Sequence, residues 1–360
     1  MQKKILEFCL SPDLGGLELF MVQCYRFFSE KTACLVMVQA GKKLDSYIEG
    51  EKHYLKRNKL FPFLPALKLA RFIDQNDIDV VHFHWTKDMP TVVLAKTLSK
   101  KKPKLVQTRN MTMTRFKDDF YHKWLYSKID MMHAVTNQVK EQLKRFIPQN
   151  VRPKIEMVYM GVKEPQVDEK RVLELQKHYD IKESDFVVGI VGRIEEGKGQ
   201  WLLIEALKNL KNLDIKALIV GHTMDEAYLN ELKEKVKSYG IEDKVIFTGF
   251  TKEVNEHFRL CNASVLATKQ ETFGLVVIEA MVNEVVVVAT NKGGPLEIID
   301  DGVDGVLFER NVEDLTAKLR WLYEHQDEAK NMAKKAKQKV LEKFEYTKQL
   351  EKLYKAIDEV

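Results

Sequence analysis

The chain has 360 residues, 45% hydrophobic and 31% charged, which excludes collagen-like and disordered classes and predicts two domains rather than one core. No apolar run approaches the ~20 residues of a membrane span, and the four cysteines form no C-x-x-C pair, as fits reduced packing residues in a cytosolic protein. The net charge of +5 hides an asymmetry, because residues 1–160 carry 28 Lys and Arg against 16 Asp and Glu while the remainder carries 30 against 37. A front half this basic predicts an anionic partner, either an anionic membrane or a phosphorylated acceptor. No nucleic acid is expected, since no aromatic-interleaved motif or recognition helix accompanies the charge.

The amino-terminal MQKKILEFCLSPDLGG holds an apolar stretch too short for a signal peptide, so residues 4–10 are read as a first buried strand and the location as cytoplasmic. A glycine-rich SPDLGGLELF (11–20) follows, then the strand ACLVMVQ (33–39). The stretch HYLKRNKLFPFLP (53–65) fits either a loop capping the domain or a segment resting on a membrane, with Phe61, Phe63 and Leu64 dipping into the interface. The strand VVHFH (80–84) is preceded by DID (77–79), a D-x-D pattern used elsewhere for manganese, but at the wrong edge of the sheet for a ligand. His82 and His84 share one face of that strand and fit core or cleft packing; no metal site is expected. From the strand's carboxyl end, HWTKDMP (84–90) places His84, Lys87 and Asp88 where an acceptor would bind. KLVQT (104–108), then KDDFYHKWLYSKID (117–130), which offers Asp118, His122 and Lys123 on a helix start as further acceptor contacts, and MMHAVT (131–136) complete the front half.

Periodicity lapses at YMGVKEPQVDEK (159–170), read as a linker. Beyond it, FVVGIVG (186–192), IKALIVG (215–221), KVIFTGF (244–250), ASVLAT (263–268), VVVVAT (285–290) and GVLFE (305–309) alternate with helical segments. Nearly continuous apolar strands alternating with helices mean parallel sheets covered on both faces, hence two doubly wound α/β domains. The domains are placed at 1–162 and 163–340, with 341–360 as an amphipathic helix packing back on the first.

Ligands of such sheets bind at the carboxyl ends of the strands. There GRIEEGKG (192–199) sets Gly192, Arg193 and Lys198 on one loop, a forked guanidinium and a mobile ammonium suited to a diphosphate. In KQETFGLVVIEAM (269–281) a helix is expected from near Phe273 to Val282. Glu271 and Glu279 then lie roughly 12 Å apart along one side of its start, at ~1.5 Å per residue. Between them the amides of Phe273, Gly274 and Leu275 would face a phosphate. A nucleotide sugar matches that layout, with Glu271 reading sugar hydroxyls and Glu279 ribose hydroxyls. TNKGGPLEIIDDGVDGVLF offers a second backbone nest at Gly293 and Gly294. Base selectivity is assigned to the surroundings of Phe250 and the loop after His222.

These three motifs, in this order and spacing, resemble the signatures of the retaining group 1 (family 4) glycosyltransferases of GT-B fold. The resemblance implies two Rossmann-like domains facing each other across a cleft, the first binding acceptor and the second nucleotide sugar. It implies that Arg193 and Lys198 hold the diphosphate, that Glu271 and Glu279 are the family's paired glutamates, and that Gly15 and Gly16 face the phosphates from the front domain. The implied activity is a retaining, metal-independent transfer of a hexose-type sugar from a UDP-, GDP- or ADP-sugar to a cell-surface glycan or lipid-linked acceptor, with no cofactor. A non-catalytic nucleotide-sugar-binding subunit and a nucleotide-sugar epimerase of the same architecture stand as alternatives. Two departures mark this chain. Glu284 and Val286 replace a glycine and proline after the EAM segment, and QTRNMTMTR lacks a histidine, leaving Arg109 as the sugar-proximal candidate.

Overall fold

The computed structural model describes residues 2–58, 61–223 and 225–360; Lys59 and Leu60 of the basic aromatic stretch lie outside the described residues. The chain divides into two compact units, Met1–Met160 with Thr347–Val360, and Gly161–Tyr346.

The front unit carries a parallel sheet of β1 (Ile5–Cys9), β2 (Cys34–Val38), β3 (His53–Tyr54), β4 (Val80–Phe83), β5 (Lys104–Arg109), β6 (Met131–Ala134) and β7 (Lys154–Met157). Their spatial order is β3-β2-β1-β4-β5-β6-β7. The rear sheet comprises β8 (Phe186–Val191), β9 (Ile215–Val220), β10 (Val245–Gly249), β11 (Ala263–Leu266), β12 (Val286–Thr290) and β13 (Val306–Phe308), in the order β10-β9-β8-β11-β12-β13 and again parallel. In each sheet the strand order reverses beside the first strand, between β1 and β4 and between β8 and β11, and a doubly wound sheet opens its crevice at such a reversal.

The apolar runs become central strands because both their faces are covered: every residue of β1, β4, β11 and β12 is buried. Helices supply the cover through one apolar stripe each. In Glu226–Tyr239 the stripe holds Leu232 and Val236, Asp225 caps the start by accepting from the Ala227 amide at 2.9 Å, and Gly240 ends it at φ 63°. The last helix, Tyr346–Asp358, buries Leu350, Leu353 and Ile357 and adds a Lys31–Glu351 ion pair at 3.1 Å to the front unit. β3 and β7 were not apparent in the sequence. Both are edge strands, one of two residues and the other half-exposed, so neither needs an apolar run.

Candidate functional site

At the rear reversal, the loops after β8 and β11 are fastened to each other. The Lys269 amide and the Thr268 hydroxyl both donate to the Gly197 carbonyl, at 2.9 and 3.2 Å. Gly199, at φ 78°, passes so close that a Cβ there would stand 2.4 Å from the Ala267 carbonyl oxygen. Only glycine tolerates both the left-handed backbone and the contact. The result sets Lys198 Nζ 3.3 Å from Glu271 Oε2. Arg193 leaves the same loop, held through its carbonyl by Gln200 Nε2 at 2.9 Å and paired with Glu195 at 3.2 Å. At the ends of β8 and β9 a Cβ on Gly221 would stand 1.8 Å from the Gly192 carbonyl oxygen.

The helix after β11 starts at Leu275, two residues later than the sequence pattern predicts, because Gly274 takes φ 98° at its N-cap position. Its first internal contact is the Val277 amide on the Gly274 carbonyl at 2.9 Å; among the described residues, the Gly274 and Leu275 amides have no backbone acceptor. Phe273 is buried, its ring 6.0 Å from that of Phe344. Glu271 keeps one oxygen toward Lys198 and accepts the Thr272 amide on the other at 3.2 Å. Glu279 lies half-buried on the helix, and desolvation pushes its carboxyl up to about 7.

Gly293 and Gly294 serve a different purpose from the nest their sequence suggests. The Gly294 amide is used, donating to the Glu271 carbonyl at 3.0 Å. Side chains there would meet the carbonyl oxygens of Glu271 and Phe273 at 2.2 and 2.1 Å. The pair therefore presses on the Glu271–Phe273 backbone and fixes the position of Glu271. Phe250, beyond β10, exposes its ring edge-on to His222 at 6.0 Å between centroids.

The front reversal is built differently. Gly15 caps the helix Gly16–Ser29 in extended conformation, and its carbonyl accepts the Leu19 amide at 2.9 Å. His84 and Asp88, expected at the acceptor side, are turned inward and fully buried. His84 Nε2 lies 2.7 Å from Glu7 Oε2, and Glu7 Oε1 lies 2.7 Å from His82 Nδ1. From His82 the bonds continue to Thr108 at 2.7 Å, His133 at 3.0 Å and the Val158 carbonyl at 2.7 Å, a polar chain running across the sheet from β1 beyond β6. Burial and the neighbouring His82 charge hold His84 down to about 4, while burial holds His133 down to about 3. Asp88 accepts the Leu10 amide at 2.9 Å, and burial pushes its carboxyl up to about 7. The His–Glu–Thr chain links neighbouring strands of the front sheet, and Asp88 joins the loops after β1 and β4. Two sequence signals marked this network: Glu7, an acid inside an otherwise apolar strand, and the shared face of His82 and His84, read as core or cleft packing and found buried.

Arg109, at the end of β5, is also buried. Its Nε and Nη2 donate to the carbonyls of Met111 and Thr112 at 2.7 and 2.9 Å, and Nη1 to the Thr86 hydroxyl at 2.7 Å. It ties the loop after β5 to the loop after β4. Lys87 is exposed, its ammonium 5.2 Å from the Trp85 ring, and His122 pairs with Asp119 at 2.6 Å. Asp77 and Asp79, at the amino end of β4, both bind Lys101, at 2.6 and 2.9 Å.

Comparison with known proteins adds an independent line. The model of glycosyl transferases group 1 matches residues 172–339, and that of glycosyltransferase family 4 matches residues 24–164. A trehalose synthase of Thermococcus litoralis is 27% identical over 91% of this chain and 78% of its own length. The N-acetyl-alpha-D-glucosaminyl L-malate synthase of Bacillus anthracis is 28% identical over 78% of this chain and 74% of its own. In fold, Anabaena HepE in complex with UDP-glucose superposes with a TM-score of 0.86 at 20% identity, covering 99% of this chain and all of that one. A glycosyltransferase of Rickettsia africae gives 0.87 at 23% identity, covering 99% and 98%.

Proposed function

The chain belongs to the group 1 glycosyltransferases of GT-B fold, enzymes that use nucleotide-sugar donors, and from that premise we propose a retaining, metal-independent hexosyl transfer to a cell-surface glycan or lipid-linked acceptor. The observation that carries the reading is Lys198 beside Glu271 at the carboxyl edge of the rear sheet, with Arg193 on the same loop as Lys198 and the unused Gly274 and Leu275 amides following Glu271. Free amides at a helix start favour phosphate, and a guanidinium and an ammonium beside them neutralise the charge of a departing diphosphate. These two cations supply in this reading the positive charge that other enzymes draw from a metal. The D-x-D acids support it as well, being tied to Lys101 at the opposite edge of the front sheet.

In the proposed reaction the bond from the anomeric carbon to the β-phosphate oxygen breaks, with its electron pair leaving on the nucleoside diphosphate. An oxocarbenium-like state forms, and the acceptor hydroxyl bonds to the anomeric carbon on the same face. The hydroxyl proton passes to the departing phosphate. Arg193 and Lys198 stabilise the developing phosphate charge, Glu271 accepts from sugar hydroxyls and Glu279 from the ribose. Gly192 and Phe273 shape the backbone beneath them, and Phe250 borders the base. Arg109 acts chiefly by fixing the loop after β5, because three of its N–H groups are already bound. UDP-glucose, bound by the Anabaena neighbour, is the first donor to assay.

No helix among the described residues is long and apolar enough to cross a membrane. Phe61, Phe63 and Leu64 are nevertheless exposed by 70, 55 and 63%, which supports peripheral contact with an anionic membrane. The function is tested by measuring nucleotide release from UDP-, GDP- and ADP-sugars with and without acceptor glycolipid. Lys198→Ala and Glu271→Ala are expected to fold normally and lose transfer; near-wild-type turnover in both contradicts the assignment.

A further inference from the structure

The carboxyl edge of the front sheet holds a second concave site. A cavity of about 260 Å³ lies among the loops after β3, β4 and β5, lined by Arg57, Lys87, Arg109, Lys117, His122 and the Tyr126 ring among others, and by no carboxylate. Arg57 and Lys87 both stand over Trp85, at 4.9 and 5.2 Å from its ring centroid, so one indole holds two cations. Arg109 spends its bonds on neutral acceptors, two carbonyls and a hydroxyl, so its charge is uncompensated. Among the described residues, neither Arg57, Lys87, Arg109 nor Lys117 has an ion-pair partner. The acids nearby offset this only in part, Asp119 acting on Lys117 and Asp88 on Arg57. Asp119 is paired with His122, and Asp88, within electrostatic reach of Arg57, is buried on the Leu10 amide with its carboxyl pushed up to about 7.

Cations gathered without a counter-charge repel one another and shed hydration, a cost visible at Lys117, whose ammonium is held below its usual range by burial and by Arg115 and Arg109. An oxyanion in the cavity relieves that cost and accepts several charge-assisted hydrogen bonds at once. The small volume suits a single phosphorylated group rather than a polyanionic strand. We propose that this cavity binds a phosphate group carried by the sugar acceptor, gripped by Arg57, Lys87 and Lys117 with Arg109 as a fixed charge behind them. The proposal rests on the glycosyltransferase reading for the word acceptor; the anion site itself rests on the front unit alone. It also accounts for part of the basic excess of residues 1–160.

The test is protection of the full chain against thermal unfolding by inorganic phosphate and glycerol 1-phosphate, titrated against sodium chloride at equal ionic strength. Saturable protection is expected, with Lys117→Gln and Lys87→Gln each weakening it at least about tenfold, the loss of one charge-assisted bond. Lys100→Gln removes the same charge on an exposed position away from the cavity and is expected to leave protection intact. A parallel arm with phosphatidic acid vesicles separates sources: protection by the soluble ester assigns a soluble phosphorylated acceptor, and protection by vesicles alone assigns a lipid phosphate. Absence of protection by any of these probes, or equal weakening in Lys100→Gln and Lys117→Gln, overturns the proposal. Titration with UDP in the wild type and in Lys117→Gln keeps the two readings apart, since loss of the front cavity should weaken protection by phosphate esters and leave protection by UDP, a ligand of the rear unit, unchanged.

Discussion

The two sheets of this protein share a topology and differ in what their reversals present. At the rear reversal, glycines bring backbone segments into contact, and the charged groups of Arg193, Lys198 and Glu271 remain partly open to solvent. At the front reversal, Glu7, His82, His84 and Asp88 are drawn inside and bound to one another or to the backbone, while the open charges stand further along the edge, on the loops after β3, β4 and β5. Topology therefore locates a crevice, but burial decides which residues in it act on a ligand and which hold the loops.

The comparison breaks most visibly where the front network loses its acid. Glu7→Leu leaves His82 and His84 buried without their shared acceptor and is expected to lower stability by about 3–5 kcal/mol in urea denaturation. Burial alone would raise the Glu7 carboxyl, but the His82 charge and the bonds from both histidines hold it below its usual range. Its stabilisation is therefore present above the unfolded pKa near 4.5 and is lost as pH falls through the folded value. A Glu7→Leu variant of unchanged stability would mean that the polar chain does not hold the front unit together.

At the rear reversal the expected effect is on rate. Lys198→Ala should lower the turnover number by about 10²–10³ with little change in melting temperature, read by nucleotide release under saturating donor. Gly294→Ala sharpens the same point without touching a charge. Its Cβ forces the Glu271–Phe273 backbone aside, so transfer should fall by at least about tenfold and stability by about 1–3 kcal/mol. Preserved transfer would show that the position of Glu271 tolerates movement.

Smaller effects follow from Glu279 and Glu284. Because the native Glu279 carboxyl titrates near 7 against 4.5 when free, the folded state holds the extra proton between those values, and stability falls as pH rises through that window. Glu279→Gln removes the penalty and should gain about 1–3 kcal/mol at pH 8 with no gain at pH 4.5, while weakening donor binding. Equal gains at both pH values would point to packing instead. Glu284 occupies φ 60°, a left-handed conformation that strains a side chain, and pairs at 3.2 Å with Lys337. Glu284→Gly should gain about 0.5–1 kcal/mol and leave transfer unchanged, as followed by thermal melts and the release assay.

Much of this was legible in the sequence because the central strands are nearly continuous apolar runs and the rear motifs are loops with fixed glycine positions. The altered turn at Glu284 was also visible, and its left-handed backbone is one that glycine adopts without strain. What escaped was set by tertiary burial. His84 and Asp88 sit where an acceptor contact belongs, and only the packing against Glu7 and the Leu10 amide shows them turned inward. Gly293 and Gly294 look like a second phosphate nest until the Glu271 carbonyl is found against them. The cationic cavity draws on Arg57, Lys87, Arg109 and Lys117, residues spread from position 57 to 117 and joined only by the sheet edge.

The most direct test of the central claim is a crystal structure of the chain soaked with UDP-glucose. The account predicts the pyrophosphate against the Gly274 and Leu275 amides with Arg193 and Lys198 on its oxygens, and Glu271 within hydrogen-bond distance of the hexose. A pyrophosphate bound elsewhere, with Lys198 still paired to Glu271, would contradict it.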